Sequence, residues 1–239
     1  MAEVSQVDVA PTAAEVLGFS FRCSGKPISQ VLEYARGCRR VLLAILDGLG
    51  YMGLLEHLEY TRFLREACAG GVLLKCRPLA RVTTPAIASI LTGLPPRAHS
   101  IYRTEDAYSS RLKSMPEVAS ELGIPAAIVM EPRGAGAFQG RVSYIFPVAE
   151  AGGVGEVDLR AARLASRAAE VARLVVLHLR SVDRLGYTRE SFKLLDLSLE
   201  LAYRSFKKHG RMGDGLLLAC GDHPPHGSSE RLVPLLAYR

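Results

Sequence analysis

The chain is poor in cysteine, in aromatic residues and in long apolar runs, and each shortage removes a class of protein. Its five cysteines, Cys23, Cys38, Cys68, Cys76 and Cys220, are odd in number and show no close paired spacing. That argues against a disulfide scaffold and for reduced, mostly buried thiols. The longest aliphatic run near the start, Val41 to Leu46, stops at Asp47 and is far too short to cross a bilayer, so no membrane partner is expected. Met1 to Thr12 lacks the basic patch and following apolar stretch of a secretory signal, and a cytoplasmic location is expected. Aromatics make up 7% of residues and do not interleave with the scattered basic residues, which argues against nucleic acid as a partner. Thirty basic against 24 acidic residues leave a net charge of +6, a field that favours anionic ligands without identifying one. No repeat or low-complexity segment is present.

What is there reads as alternation. Short, continuous apolar runs recur at Val41–Leu46, Val72–Cys76, Ala126–Met130, Val142–Phe146, Leu174–Leu179, Leu216–Cys220 and Leu232–Ala237, the pattern of strands buried on both faces. Between them, helical spacing appears over Pro27–Arg36, Leu54–Ala67, Asp158–Arg173 with Asp158 as cap, and Arg189–Lys208. Strands alternating with helices predict an α/β fold, a mostly parallel central sheet flanked by helices on both faces. A chain of 239 residues is enough for one such domain, 1–239, with residues 1–40 as an N-terminal extension packed on the core and no sizeable cap. The Gly134–Gly140 and Gly152–Gly155 tracts read as mobile loops. The first lacks the lysine and strand–helix context of a phosphate-binding P-loop.

Ligands of such sheets bind beyond the carboxyl ends of the strands. Three acids sit there: Asp47 after Val41–Leu46, Asp183 beyond Leu174–Leu179, and Asp222 after Leu216–Cys220. Asp222 opens a turn, Asp222-His223-Pro224-Pro225-His226-Gly227, that presents a carboxylate and two imidazoles, the donor types a borderline divalent metal prefers. The two prolines stiffen that turn and reduce the entropy lost on ordering it.

Four segments then combine: Leu46-Asp47-Gly48; Val82-Thr83-Thr84-Pro85 running to Leu91-Thr92-Gly93; Val182-Asp183-Arg184-Leu185-Gly186-Tyr187; and Gly221-Asp222-His223 with His226-Gly227. In order and spacing they resemble the alkaline phosphatase superfamily, especially its nucleotide pyrophosphatase/phosphodiesterase and phosphopentomutase-like branches. Thr92-Gly93-Leu94-Pro95-Pro96-Arg97-Ala98-His99-Ser100-Ile101 and the stretch from His226 to Leu236 extend the resemblance, whereas the middle of the chain carries none.

The resemblance implies a metal-dependent hydrolase of phosphoric esters, of phosphodiesterase or pyrophosphatase type, acting on a small phosphorylated or nucleotide substrate. Thr83, nine residues before Thr92, matches the nucleophile, with Thr84 as the alternative. Asp47, Thr83, Asp222 and His223 match one metal site; Asp183 and His226 match two of the three ligands of a second. The ion implied is zinc, with manganese next. At two positions the chain departs from the pattern. Tyr187 stands where the family has a histidine ligand, and Ala86 stands where phosphodiesterase relatives have an asparagine that holds phosphate. The missing donor is then supplied by helix amides after Pro85, by Arg81 or by Arg103. The substrate pocket is open or completed by a partner subunit of a homo-oligomer. Two other readings stay open: a degenerate member that binds metal or phosphate without turnover, and a phosphomutase or sulfatase-like transferase. Of the remaining histidines, His99 is expected to order a loop, His178 to be a hydrogen-bonded core residue, and His57 and His209 to lie on helix surfaces. Cys220 is expected to be a buried strand residue.

Overall fold

A computed structural model of the chain describes residues 4–210 and 214–239; Met1–Glu3, the start of the expected N-terminal extension, lie outside them. Eight strands, β1 (Val4–Ser5), β2 (Arg40–Leu46), β3 (Val72–Arg77), β4 (Ala126–Met130), β5 (Tyr144–Pro147), β6 (Leu174–Leu179), β7 (Gly215–Gly221) and β8 (Val233–Tyr238), form one sheet. Its order is β1-β3-β8-β7-β2-β6-β4-β5. All neighbours are parallel except β8, which runs antiparallel to both β3 and β7. The fold is therefore the α/β, mostly parallel sheet that the apolar runs predict.

Period-two alternation along β2 divides the core. Val41, Leu43 and Ile45 face one apolar layer, shared with Val9, Ala13 and Leu17 of the helix Val9–Leu17. Leu42, Ala44 and Leu46 face the other, shared with residues of the helices Val154–Val171 and Arg189–Lys208. Helix Arg189–Lys208 begins where expected because the Thr188 hydroxyl accepts the Ser191 N–H at 3.1 Å. Phe192, Leu195, Leu199, Ala202, Tyr203 and Phe206 give it one buried face.

Several boundaries differ from expectation, each for a tertiary reason. The single helix expected over Leu54–Ala67 is two, Tyr51–His57 and Phe63–Gly70, separated by a 3-10 turn at Leu58–Tyr60. The second is capped from a distance: Asp196 accepts the N–H groups of Arg62, Phe63 and Leu64 at 2.7–3.1 Å. Asp158 is not a cap but the fifth residue of Val154–Val171, buried and bonded elsewhere. The helix expected over Pro27–Arg36 is the shorter Ser29–Tyr34, and the strand expected at Val142–Phe146 is shifted to Tyr144–Pro147. The Gly134–Gly140 tract is not a loose loop, since Pro132–Gly136 forms a helical turn. In the Gly152–Gly155 tract, Gly152 and Gly153 lie outside regular elements, with Gly153 at the N-cap of the helix that contains Gly155. Among the described residues, no helix is long and apolar enough to cross a membrane, and the five cysteines form no disulfide.

Candidate active site and metal centre

β2 lies between β6 and β7, parallel to both, with Leu46 opposite Leu179 on one side and Gly221 on the other. The three chains therefore leave the sheet together, bringing Asp47, Asp183 and Asp222 to one edge. Gly48 makes the approach close: its φ is +72°, and a Cβ there would lie 2.9 Å from the Asp183 Cβ. Any larger residue would strain the turn and push Asp183 away.

Thr83 opens the helix Thr83–Thr92 across from this edge. Its Oγ1 lies 3.2 Å from Asp47 Oδ1 and 3.2 Å from His223 Nε2. His223 Nε2 is in turn 3.3 Å from Asp47 Oδ1 and 3.6 Å from Asp222 Oδ2. Asp222 Oδ1 accepts the N–H groups of Gly48 at 3.0 Å and of His223 at 2.7 Å, while its Oδ2 is buried with no hydrogen-bond partner. Donor atoms of Asp47, Asp222 and His223 all lie within 4.8 Å of one another, as do those of Asp183, His223 and His226. His226 Nε2 is 3.6 Å from Asp183 Oδ1, and its side chain is 60% exposed. Arg180 and Arg184, which flank Asp183 in sequence, lie against Glu150, at 2.5 and 3.7 Å.

The charges around this edge are unbalanced in the direction a cation corrects. Burial, reinforced by the Asp47 charge, pushes the Asp222 carboxyl up to about 7. Burial would also raise Asp47, but hydrogen bonding and charge from His178 and His223 outweigh it and hold that carboxyl well below the usual range. Burial opposes the charged form of His223, yet its carboxylate neighbours push it up to about 9. An orphaned carboxylate oxygen, a second carboxylate and an imidazole nitrogen within one small radius suit a divalent ion.

Tyr187 is committed elsewhere. Its hydroxyl accepts the Gly50 N–H at 2.6 Å and donates to the Gly48 carbonyl at 3.2 Å, and burial raises its pKa further. It braces the loop after Asp47 as a neutral phenol, its ring edge-on to His57 and Phe192. His57 itself stacks on Phe192 at 4.3 Å, so it is a packed residue rather than a surface one. Ala86 is fully buried and faces away from solvent. Arg81 donates to the carbonyls of Ser228 and Glu230, so it fastens the turn that carries His226. No side chain caps the Thr83–Thr92 helix, which leaves the amides of Thr83 and Thr84 as donors to an anion. His99 orders its loop as expected, with Nδ1 accepting the Ile101 N–H and Nε2 against Ser89.

Sequence reasoning missed three contributions. His178 is a buried core residue as expected, but it also bridges two carboxylates, with Nε2 3.3 Å from Asp47 Oδ2 and Nδ1 3.2 Å from Glu131. Those neighbours push it up to about 10 against the effect of burial. An imidazole inside an otherwise aliphatic parallel strand, next to the strand bearing Asp47, was the available signal. Gln6, fully buried, donates to the carbonyls of Gly221 and Asp222 at 3.0 and 2.5 Å and accepts from Leu79, pinning the Asp222 turn. Asp158 accepts the N–H groups of Arg180 and Ser181 at 2.9–3.2 Å and so holds the start of the short helix that carries Asp183. Neither had a sequence signal, because both act across the fold.

No family model matches the chain, and no curated protein does. Solved structures do. A protein in the alkaline phosphatase superfamily from Vibrio parahaemolyticus superposes with a TM-score of 0.56 at 16% identity, over 97% of this chain and 67% of that one. A sulfatase-like protein from Bacteroides thetaiotaomicron gives 0.64 at 12% identity, over 83% and 64%. Murine ectonucleotide pyrophosphatase/phosphodiesterase 5 gives 0.58 at 16% identity, over 77% and 57%. The chain thus spans about two thirds or less of these proteins, and the likeness at such identities is one of fold.

Proposed function

We propose that this chain, which carries the alkaline phosphatase superfamily fold, is a divalent-metal-dependent hydrolase of phosphoric esters with Thr83 as its nucleophile. The observation that carries the reading is the position of Thr83 Oγ1, 3.2 Å from both Asp47 Oδ1 and His223 Nε2 at an uncapped helix N-terminus. A threonine hydroxyl is a weak nucleophile at neutral pH. Asp47, Asp222 and His223, with Thr83, would hold one ion, and Asp183 with His226 a second. Zinc is the ion best matched to these histidines, manganese the next. Such an ion supplies charge that favours the ionised hydroxyl and offsets the phosphoryl oxygens.

In the attack, a bond forms between Thr83 Oγ1 and phosphorus while the ester P–O bond breaks; the hydroxyl proton passes to solvent, and the departing alkoxide takes a proton from solvent and leaves as the alcohol. The amides of Thr83 and Thr84 receive the phosphoryl oxygens, replacing the side chain absent at Ala86. Water then cleaves the phosphothreonine from the face bordered by Asp183 and His226. His178 holds Asp47 in register from behind, and Tyr187 holds the loop that follows it. The test is hydrolysis of p-nitrophenyl phosphate, its bis-ester and nucleotide esters by metal-loaded protein. Thr83→Ala is expected to lower kcat by about 10³-fold or more with metal content retained. Equal turnover in that variant sinks the reading.

A second reading is favoured by Tyr187: with its hydroxyl committed to Gly48 and Gly50, the outer ion would rest on Asp183, His226 and His223, a residue that also belongs to the inner set. One tightly held ion and no detectable turnover in calorimetric and kinetic assays would select that non-turnover form.

A further inference from the structure

Beside Thr83 lies a pocket that no motif of the sequence accounts for. It opens at Thr83 and Thr84 and runs between the Thr83–Thr92 helix and two short helices, Thr104–Ser109 and Pro132–Gly136. Its walls are mainly apolar, with Ile87, Ala88, Leu91, Ala107, Met130 and Phe138 contributing. The two short helices are fastened together: the Tyr108 hydroxyl donates to the Arg133 carbonyl at 2.7 Å, and Arg133 pairs with Glu105. The pocket is therefore preformed and not an artefact of a loose loop.

The polar groups at its inner end are already satisfied. Arg141 Nε pairs with Glu117 at 2.5 Å, and its other nitrogens donate to the carbonyls of Ala107, Leu112 and Ala137. Glu117 also accepts from Ser114. Glu131, at the mouth, is bonded to His178. No charge remains for a second phosphate or a carboxylate, and burying one there unpaired would be costly.

We propose that this pocket is the specificity site for the organic group of the ester, and that it takes a neutral, largely apolar group such as an aryl ring. The assignment rests on Thr83 as the reacting group only for its orientation: phosphorus at the mouth, organic group inward. It would make the chain selective for hydrophobic phosphoric esters over methyl-sized or multiply charged ones.

The test needs no turnover. Calorimetry on the zinc-loaded chain compares phenylphosphonate, methylphosphonate and 4-carboxyphenylphosphonate, none of which presents a P–O ester bond to cleave. Phenylphosphonate is expected to bind at least about tenfold more tightly than methylphosphonate, and the carboxylated probe no better than methylphosphonate. Ala107→Phe, on the half-exposed outer wall, and Ala88→Leu, on the inner one, fill the pocket from opposite sides, with circular dichroism checking that each folds. In either folded variant the phenyl-to-methyl ratio should fall toward one. A ratio near one in the parent chain, a ratio unchanged in the folded variants, or tightest binding by the carboxylated probe overturns the proposal. If Thr83→Ala leaves hydrolysis unchanged while the phenyl preference stands, the reading of Thr83 as nucleophile falls and the pocket survives; the reverse pattern removes the pocket alone.

Discussion

The two ligand clusters at the sheet edge share His223 yet are built differently. The inner one, Asp47, Asp222 and His223, is buried, with side chains at most 4% exposed, and is held by backbone N–H groups, by His178 and, through the turn, by Gln6. The outer one, Asp183 and His226, is open: the His226 side chain is 60% exposed, and the nearby Tyr187 hydroxyl is committed to the Gly50 N–H. A buried cluster with unbalanced charge gains most from an ion and releases it least readily. An exposed pair is hydrated already and gains less. On the proposed reading, the inner site is where affinity would reside, and the outer one is where exchange with solvent would be easy.

The largest effect that would break this contrast is at Asp47. Asp47→Asn removes the charge that meets Thr83, His178 and His223 together, and metal affinity measured by titration should drop by more than about 100-fold. A loss no larger than that of His226→Ala would erase the distinction. His226→Ala itself should weaken only the outer ion, by about tenfold or more, leaving one equivalent on the purified protein by elemental analysis.

Proton competition sharpens the comparison further. In the metal-free protein Asp222 sits at about 7 and His223 at about 9, and both must lose protons to ligate. Inner-site affinity should therefore rise with pH across the range from 6 to 9, as followed by titration calorimetry in buffers of different ionisation heat. Stability runs the opposite way. His178 and His223 are raised from 6.5 in the folded chain, to about 10 and about 9. Their contribution is whole below pH 6.5 and is lost as pH rises through those values. Asp222, raised from 3.8 to about 7, acts in the same direction. Melting of metal-free protein should therefore fall from pH 6 to pH 10, and less so when metal holds His223 deprotonated. A flat profile would remove the electrostatic argument for the inner cluster. The smallest effect is expected at Gln6→Leu, about a tenfold loss of affinity at the inner site alone, because the turn loses its clamp but keeps its ligands.

The same contrast explains what could be read from the sequence. Strands β2, β6 and β7 announce themselves because covering both faces makes them continuous apolar runs, and Arg189–Lys208 does so because one face is apolar at helical spacing. The five residues singled out at strand ends and in the Asp222 turn meet at one edge, since parallel strands leave a sheet together, and Thr83 faces them from the start of its helix. What stayed hidden acts through space. Asp196 splits one expected helix into two by capping it from another element, Asp158 leaves its expected cap position to hold the helix of Asp183, and Gln6 reaches the Asp222 turn from more than two hundred residues away. Periodicity reports which face is buried, but it carries no record of which partner supplies a hydrogen bond.

The antiparallel strand β8 has a consequence for how the molecule assembles. Among the described residues it is the strand that links the β1–β3 edge to the rest of the sheet. β3 leads toward Thr83, and the residues after β1 supply Gln6. Until Val233–Tyr238 docks, the helix of Thr83 and the Asp222 turn belong to two separate pieces of sheet. The closing step joins segments distant in sequence, which makes it slow relative to local helix formation. Catalytic competence should accordingly appear late in refolding, after most helical signal has returned, and a chain severed within the Ser228–Leu232 segment should recover it only when the missing strand is supplied as a peptide.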